Sequence, residues 1–323
     1  MLVKHFARPA VMAAAAAALA AGLSAPAQAQ YPEKNIKFII PYSPGGGFDT
    51  YVRMISPYLG KYLPGDAEVI PENMPGAGGR KGVTYTYRAK PDGYTIVVAN
   101  VPGVAIPPIL GKKVGYDLNK MTWLARLSTD HYLLGVSGSS KITKYSELAA
   151  MAKSKTIKLP GTGPGSTAYA MAKVMIGALG LKAEIVSGYK GTKEMTVALI
   201  RGDTEAAVLP NTSTRKYIQA GDVRPLVTTQ SPSPFKAPTT SDIGHPELTG
   251  LSINRIVGGP PGLPAAIRKA LVNAFAKAMQ DPGLIAAAKK AKRPFDPANG
   301  EESEQIIQKQ LALFLKFKDS LSK

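Results

Sequence analysis

Apolar positions in this chain fall into short runs, each closed by a turn signal and followed by a stretch of helical spacing. "NIKFII" (Asn35–Ile40) predicts a buried strand. After it, Tyr51, Ile55, Tyr58, Leu59 and Tyr62 recur on one helix face, with Asp49 as the expected N-cap and "PGD" at Pro64–Asp66 as the stop. "EVIPEN" (Glu68–Asn73) predicts a second strand, followed by a glycine-rich loop and a helix to Arg88. "YTIVVAN" (Tyr94–Asn100), entered through the turn "KPDG", predicts a third. The alternation resumes with "TIKLPG" (Thr156–Gly161), a helix presenting Met171, Val174 and Met175, a strand in "EIVSGYKGT", a helix through Leu199, and the strand "EAAVLPN". "VRPLVTT" and "LSINRIVGG" read as later strands; one helix opens at Pro264 and a last one covers Glu301 to Leu321. Strand, glycine loop and helix in succession is the signature of an α/β fold with a mostly parallel sheet. The stretch holding Trp123 and His131 crosses between domains, with Trp123 read as packing and His131 without an assigned role. The proline- and serine-rich Thr228–Thr240 reads as a long exposed loop.

The first residues follow another pattern. Lys4 and Arg8 precede the apolar Ala10–Leu23, and Ala27 and Ala29 form an A-x-A cleavage site, the layout of a secretory signal peptide over 1–29. The run is shorter than the ~20 residues of a membrane span. An exported chain in the periplasm is the expectation. It has no cysteine, which excludes disulfides and a thiol-ligated metal. Only His131 and His245 remain beyond the signal, so neither a metal nor a cofactor is expected.

The formal charge is +18, but its basic residues are thinly spread. The densest cluster, "KKAKR" at Lys289–Arg293, reads as a solvated helix end, and no basic run is interleaved with aromatics. A nucleic-acid partner is therefore not expected. A positive field that draws in small anions is the better use of the charge.

Three loops share the order strand, glycines, helix start: "SPGGGFD" (Ser43–Asp49), "PGAGGRKG" (Pro75–Gly82) and "GTGPGST" (Gly161–Thr167). In an open α/β sheet they lie at the carboxyl ends of the strands, where backbone N–H groups at helix starts hold anions. Gly111-Lys112-Lys113 lacks the first glycine and the hydroxyl of a phosphate loop, and Lys81 stands where a dinucleotide fingerprint needs its third glycine. No G-x-S-x-G elbow occurs. No catalytic residue is assigned and the chain is not expected to be an enzyme. Two readings stay open at several residues. Asp49 is a cap or a group that accepts from a ligand. Tyr189-Lys190 is a ligand contact or a surface loop. Arg255, a charge within an apolar strand, lies at an exposed edge or points into a cleft, where its fork would suit a second carboxylate.

"YPEKNIKFIIPYSPGGGFD", "ENMPGAGGRKG" and "KPDGYTIVVAN", in this order and spacing, resemble the first blocks of the periplasmic receptors of tripartite tricarboxylate transporters, the Bug proteins. "GTGPGST", "GYKGT", "ALIRGD" and "PPGLPAAIRKAL" resemble later blocks, so the resemblance covers essentially the whole mature chain. It implies a type II periplasmic binding fold, two α/β lobes joined by a hinge, with lobe 1 made of 30–125 and 226–323 and lobe 2 of 126–225. It implies capture of a small carboxylate (a di- or tricarboxylate or an aromatic acid) in the cleft, delivery to membrane permease subunits, and a monomer without cofactor. A ligand sensor for a signalling partner, or an α/β enzyme acting on a carboxylate, are the alternatives.

The implied ligand set begins with Tyr42, Ser43, Gly45, Gly46, Gly47, Phe48 and Asp49 of the first loop and Ala77, Gly78 and Gly79 of the second. Asn100 follows, then Thr162, Ser166, Thr167 and Tyr189 of the second lobe, and finally Asn211 and Arg255. Three positions depart from the family pattern. Leu209-Pro210 stands where an Asp-Asn pair is common, with Asn211 displaced. Arg255 lies in a strand that often carries an aromatic, and Phe48 replaces a small hydroxyl residue. Loss of the acidic residue argues against amino-acid ligands, and an inward Arg255 argues for a second carboxylate.

Overall fold

The computed structural model describes residues 31–322, and the signal-peptide reading of 1–29 lies outside them. In the first lobe β1 (Ile36–Ile40) pairs in parallel with β2 (Val69–Asn73) and β3 (Thr95–Asn100). Past the exposed Lys37, Phe38–Ile40 of β1 is covered on both faces, so that run is continuous rather than alternating. The helix α1 (Gly47–Tyr62) returns across one face and buries Val52, Ile55 and Leu59 against Phe38 and Val98. The other face receives α2 (Arg80–Tyr87) and α3 (Val101–Ile109). α3 leaves β3 without a loop and has Pro102 in its first turn, where no intrahelical N–H bond is lost.

A 16-residue strand, β4 (Thr122–Ser137), belongs to both lobes. Its first part, from Thr122 to His131, pairs antiparallel with β9 (Ser252–Gly259), which in turn pairs antiparallel with β3. From Tyr132 onward its partners are β7 (Ala207–Pro210) and β8 (Val223–Thr228). The resulting sheet runs β2-β1-β3-β9-β4-β7, with β8 also on β4. It is parallel among its first three strands and antiparallel elsewhere, more mixed than the strand–helix alternation implied.

The second lobe adds α4 (Tyr145–Ser154), the parallel pair β5 (Ile157–Gly161) and β6 (Ala183–Ser187), and the helices α5 (Thr167–Ala178), α6 (Thr192–Arg201) and α7 (Asn211–Gln219). The chain then returns to the first lobe. Of the C-terminal helices, α8 (Ala265–Gln280) and α9 (Pro282–Lys290) join the core under α1. Then α10 (Gly300–Lys316) packs against β4 and α3. The short α11 (Lys318–Ser322) rests on α5 of the second lobe, with Ser320 tight against Gly177. Trp123 is buried and its indole N–H donates to the Leu118 carbonyl at 3.0 Å, which makes it a packing residue.

Candidate functional site

The first glycine loop is shaped by Asp49, though not as an N-cap. α1 starts at Gly47 with Gly46 as its cap residue, and Asp49 lies in the first turn. Its carboxylate accepts from the Gly45 N–H, the Arg53 Nε and the Asn73 Nδ2, each at 2.9 Å. Burial would raise its pKa, but these donors outweigh burial and hold it below the ordinary aspartate value. This carboxylate is occupied within the protein by three donors. Asn73, in the block before the second loop, also donates to the Tyr42 carbonyl at 3.0 Å and so ties the two loops together.

The second loop has four successive positive-φ residues: Gly76, Ala77, Gly78 and Gly79. Such a run excludes most side chains, which explains "PGAGG". At Gly79 a Cβ would also lie 2.9 Å from the Tyr42 hydroxyl. That hydroxyl donates to the Gly78 carbonyl at 3.2 Å and accepts from the Asn100 Nδ2 at 2.9 Å. Burial pushes the Tyr42 phenol up to about 12, against a downward pull from the Asn100 bond and Arg255, so it stays a neutral donor.

Asn100 carries the site across the cleft. The same Nδ2 donates to Thr167 Oγ1 of the second lobe at 3.1 Å. Its Oδ1 is buried without a partner. Thr167 is the first residue of α5. Before it, Ser166 caps this helix by accepting from the Tyr169 N–H at 3.1 Å, and also bonds Thr162. A cavity of about 350 Å³ opens beside them, between Ser166 and Thr167 on one side and Arg80 and Pro102 on the other. Arg80, at the start of α2, was not among the residues expected from sequence; its position directly after the second glycine loop is the signal that could have found it.

Arg255 is not at an exposed edge. β9 lies between β3 and β4, and Arg255 sits opposite Asn100 and Ser128 in register. Its guanidinium is buried beneath the first turn of α1, 4.9 Å from the Phe48 ring centre and 5.0 Å from that of Tyr51. Phe48 in turn stacks on Tyr42, with centroids 4.6 Å apart. A Cβ on Gly47 would come within 3.4 Å of Arg255 Nη2, so the guanidinium stands beside the helix start, where the leading N–H groups have no intrahelical acceptor. Arg255 Nη1 donates to Ser128 Oγ at 3.1 Å, and its Nε has no partner. Among the described residues no carboxylate lies within 4.0 Å of it. Burial lowers its pKa while Asp130 acts in the opposite sense. Asp130, another residue not anticipated, accepts from the Thr212 N–H at 3.1 Å. Burial raises its pKa, against the downward pull of Arg255 and Thr212.

The structure therefore joins Tyr42, Gly47, Phe48, Gly78, Gly79, Asn100, Thr167 and Arg255 in one connected set. Ser43, Gly45, Gly46 and Ala77 are exposed around it. Two further expected residues lie outside this connected set. Asn211 is buried and donates to Thr228 Oγ1 and Gln230 Oε1, at 3.2 and 3.0 Å. Tyr189 packs on the small core around Leu209 while its N–H meets the Gly161 carbonyl at 3.3 Å. His131 lies in β4 opposite Ser252, and its Nδ1 is buried without a partner.

Residues 53–316 match the family described as the tripartite tricarboxylate transporter family receptor. A curated relative from Cupriavidus necator, the "UPF0065 protein in gbd 5'region", is 31% identical over 293 residues, which cover 86% of this chain and 85% of the relative. Among solved structures, the TctC solute binding protein from Polaromonas superposes with a TM-score of 0.79 at 23% identity, covering 90% of this chain and 99% of that one. MatC from Rhodopseudomonas palustris, with bound malate, gives a TM-score of 0.68 at 24% identity, covering 90% and 100%.

Proposed function

The chain belongs to the family of tripartite tricarboxylate transporter receptors, and on that premise we propose that it captures a small dicarboxylate in the cleft between its lobes. One carboxylate rests on the N–H groups of the first two glycine loops. The second is held by Arg255, and Thr167 with Asn100 draws the second lobe down. The observation that carries this reading is Arg255: a buried guanidinium with one hydrogen bond, an unpartnered Nε and a helix start alongside. A buried charge of this kind is costly unless an anion completes it; Asp130 offsets part of that cost from beyond ion-pair distance, and the planar fork itself is left to fit a carboxylate in two-point fashion. The malate bound by MatC is a ligand of that class. Asn211 and Tyr189 are given no direct ligand contact in this reading.

The lobes follow the expected division near residues 125 and 226, with the first crossing placed at the partner change between His131 and Tyr132. The protein acts as a monomer in the periplasm, exported by its leader. It hands its ligand to membrane permease subunits, performs no chemistry on it and binds no nucleic acid.

Calorimetry against matched mono- and dicarboxylates tests the proposal. Arg255→Gln should weaken dicarboxylates by about tenfold or more, an expected scale for one charge-assisted bond, and monocarboxylates little. An equal loss for both would remove Arg255 from the site. Gly46→Val should abolish both. Gly46 has φ −78°, and a Cβ there meets only the Ser43 carbonyl at 3.6 Å, so the fold tolerates the change while ligand approach is blocked. Unchanged affinity in that variant would refute the clamp.

A further inference from the structure

The cluster Lys289–Arg293 makes no hydrogen bond or ion pair with the glycine loops or Arg255, although Arg293 lies within electrostatic reach of Arg255 and Asp130. From sequence it reads as a solvated helix end, but in the fold it is half of a groove. Lys289, Lys292 and Arg293 of the first lobe face Arg215 and Lys216 on α7 of the second, across a groove of about 1000 Å³. A second groove of about 700 Å³ continues on the other side of α7; it shares Arg215 and Gln219 with the first and adds Lys236 and Phe235. No carboxylate lines either groove. Asp296 lies between two lining residues, but Arg126 engages it in an ion pair at 2.9 Å. Among the described residues none of these six cations has a carboxylate within 4.0 Å, and a seventh lining cation, Arg224, is spent on the carbonyls of Gly138, Ser140 and Ile142. The larger groove is also lined by apolar residues, among them Ile285, a large aliphatic side chain that remains 55% exposed.

Unpaired cations around an exposed apolar side chain ask for a partner with the opposite charges and an apolar group between them. We propose that the two grooves dock an extended acidic segment of a protein partner, with one aliphatic or aromatic side chain seated on Ile285. The partner would be a membrane subunit of the transporter, an attribution that rests on the receptor reading above. The joined grooves run around α7 and exceed what one small carboxylate fills. They are concave, whereas a lipid surface is flat. Because the cations come from both lobes, a segment that meets all of them does so at one relative position of the lobes. Docking thereby reports closure.

The probes are a labelled short peptide of glutamates around a central leucine, an all-glutamate peptide of equal length, and vesicles of phosphatidylcholine and phosphatidylglycerol in equal parts. The leucine peptide is expected to bind the full mature chain more tightly than the all-glutamate one. Arg215→Glu with Lys292→Glu should weaken it about tenfold or more. Ile285→Ser should erase the preference for leucine. Lys153→Glu with Lys309→Glu makes the same charge change at exposed positions outside the grooves and should leave peptide binding near the wild-type value. Equal weakening in both double variants would mean general attraction to a basic protein and would overturn the proposal. So would vesicle binding that falls with Arg215 and Lys292 while peptide binding does not. Calorimetric affinity for dicarboxylates, measured on the same variants, should be unchanged. A chain that binds no carboxylate yet prefers the leucine peptide would refute the receptor reading and leave the groove standing.

Discussion

Asp49 supports the first glycine loop with a single side chain, and its loss should therefore be felt as stability before it is felt as affinity. Asp49→Ala removes acceptors from Gly45, Arg53 and Asn73 together, at an expected cost of about 2 kcal/mol or more. Urea unfolding at neutral pH measures this. Its folded pKa is depressed, so the contribution is complete above the ordinary aspartate value and disappears as the pH falls through the lowered one. The gap between wild type and variant should close in acid; a gap that persists would mean that the variant has lost packing rather than charge. Phe48 shows why some residues resisted sequence reading. It is sandwiched between Tyr42 and Arg255, and Arg255 lies far along the chain, so no local pattern reveals the pairing. Asp49 was misplaced for the opposite reason: its spacing suits a cap, but three glycines let the helix begin earlier, at Gly47.

Elements buried on both faces, such as β1 and β3, were legible because each is a continuous apolar run, closed by turns and too short for a helix. α1 was legible from its periodic tyrosines and aliphatics, although its start was not. The longest strand was not recognised at all. β4 carries Arg126, Ser128, Asp130 and His131, and its register shifts twice against β9, between Trp123 and Ala125 and between Arg126 and Ser128. Each shift breaks the two-residue alternation that marks a strand. The end of β4 is fixed by a close backbone approach. A Cβ on Gly138 would overlap the Gly221 carbonyl oxygen, while the Gly138 N–H donates to Asp222 at 2.8 Å. Gly138→Ala should therefore lower stability by about 3 kcal/mol or more, seen as an earlier denaturation midpoint. A midpoint within a few tenths of wild type would contradict this packing.

For the whole molecule, the two-lobed architecture was readable from the order of its blocks, but the contacts between lobes were not, because they join residues with no shared motif. Asn100 and Thr167 are such a pair. Thr167→Val keeps the shape of the side chain and removes this bond. It should widen the unliganded protein in solution scattering and weaken ligand capture together, since the ligand then has more closing to drive. Unchanged dimensions would show that the bond does not set the opening. His131 makes the fold sensitive to acid where β4 changes partners. Burial pushes its pKa down to about 4 from the ordinary 6.5, with Asp296 pulling upward and Arg126 downward. Between those values the unfolded chain takes up a proton that the folded one refuses, so stability falls as pH drops from about 6.5 toward about 4. Thermal melts of wild type and His131→Gln at pH 7 and about pH 5 should show the smaller drop in the variant.

The strand that joins the lobes never leaves its hydrogen-bonded ladder, changing partners at His131 and Tyr132 without an intervening loop. If the lobes turn about this point, as proposed above, opening twists a hydrogen-bonded ribbon rather than swinging a free tether. Such a device samples a narrow range of apertures, and closing it sacrifices little backbone freedom. Capture by this protein should consequently carry a small conformational-entropy penalty, and the timing of release should follow the stiffness of β4 as much as the grip of the glycine loops.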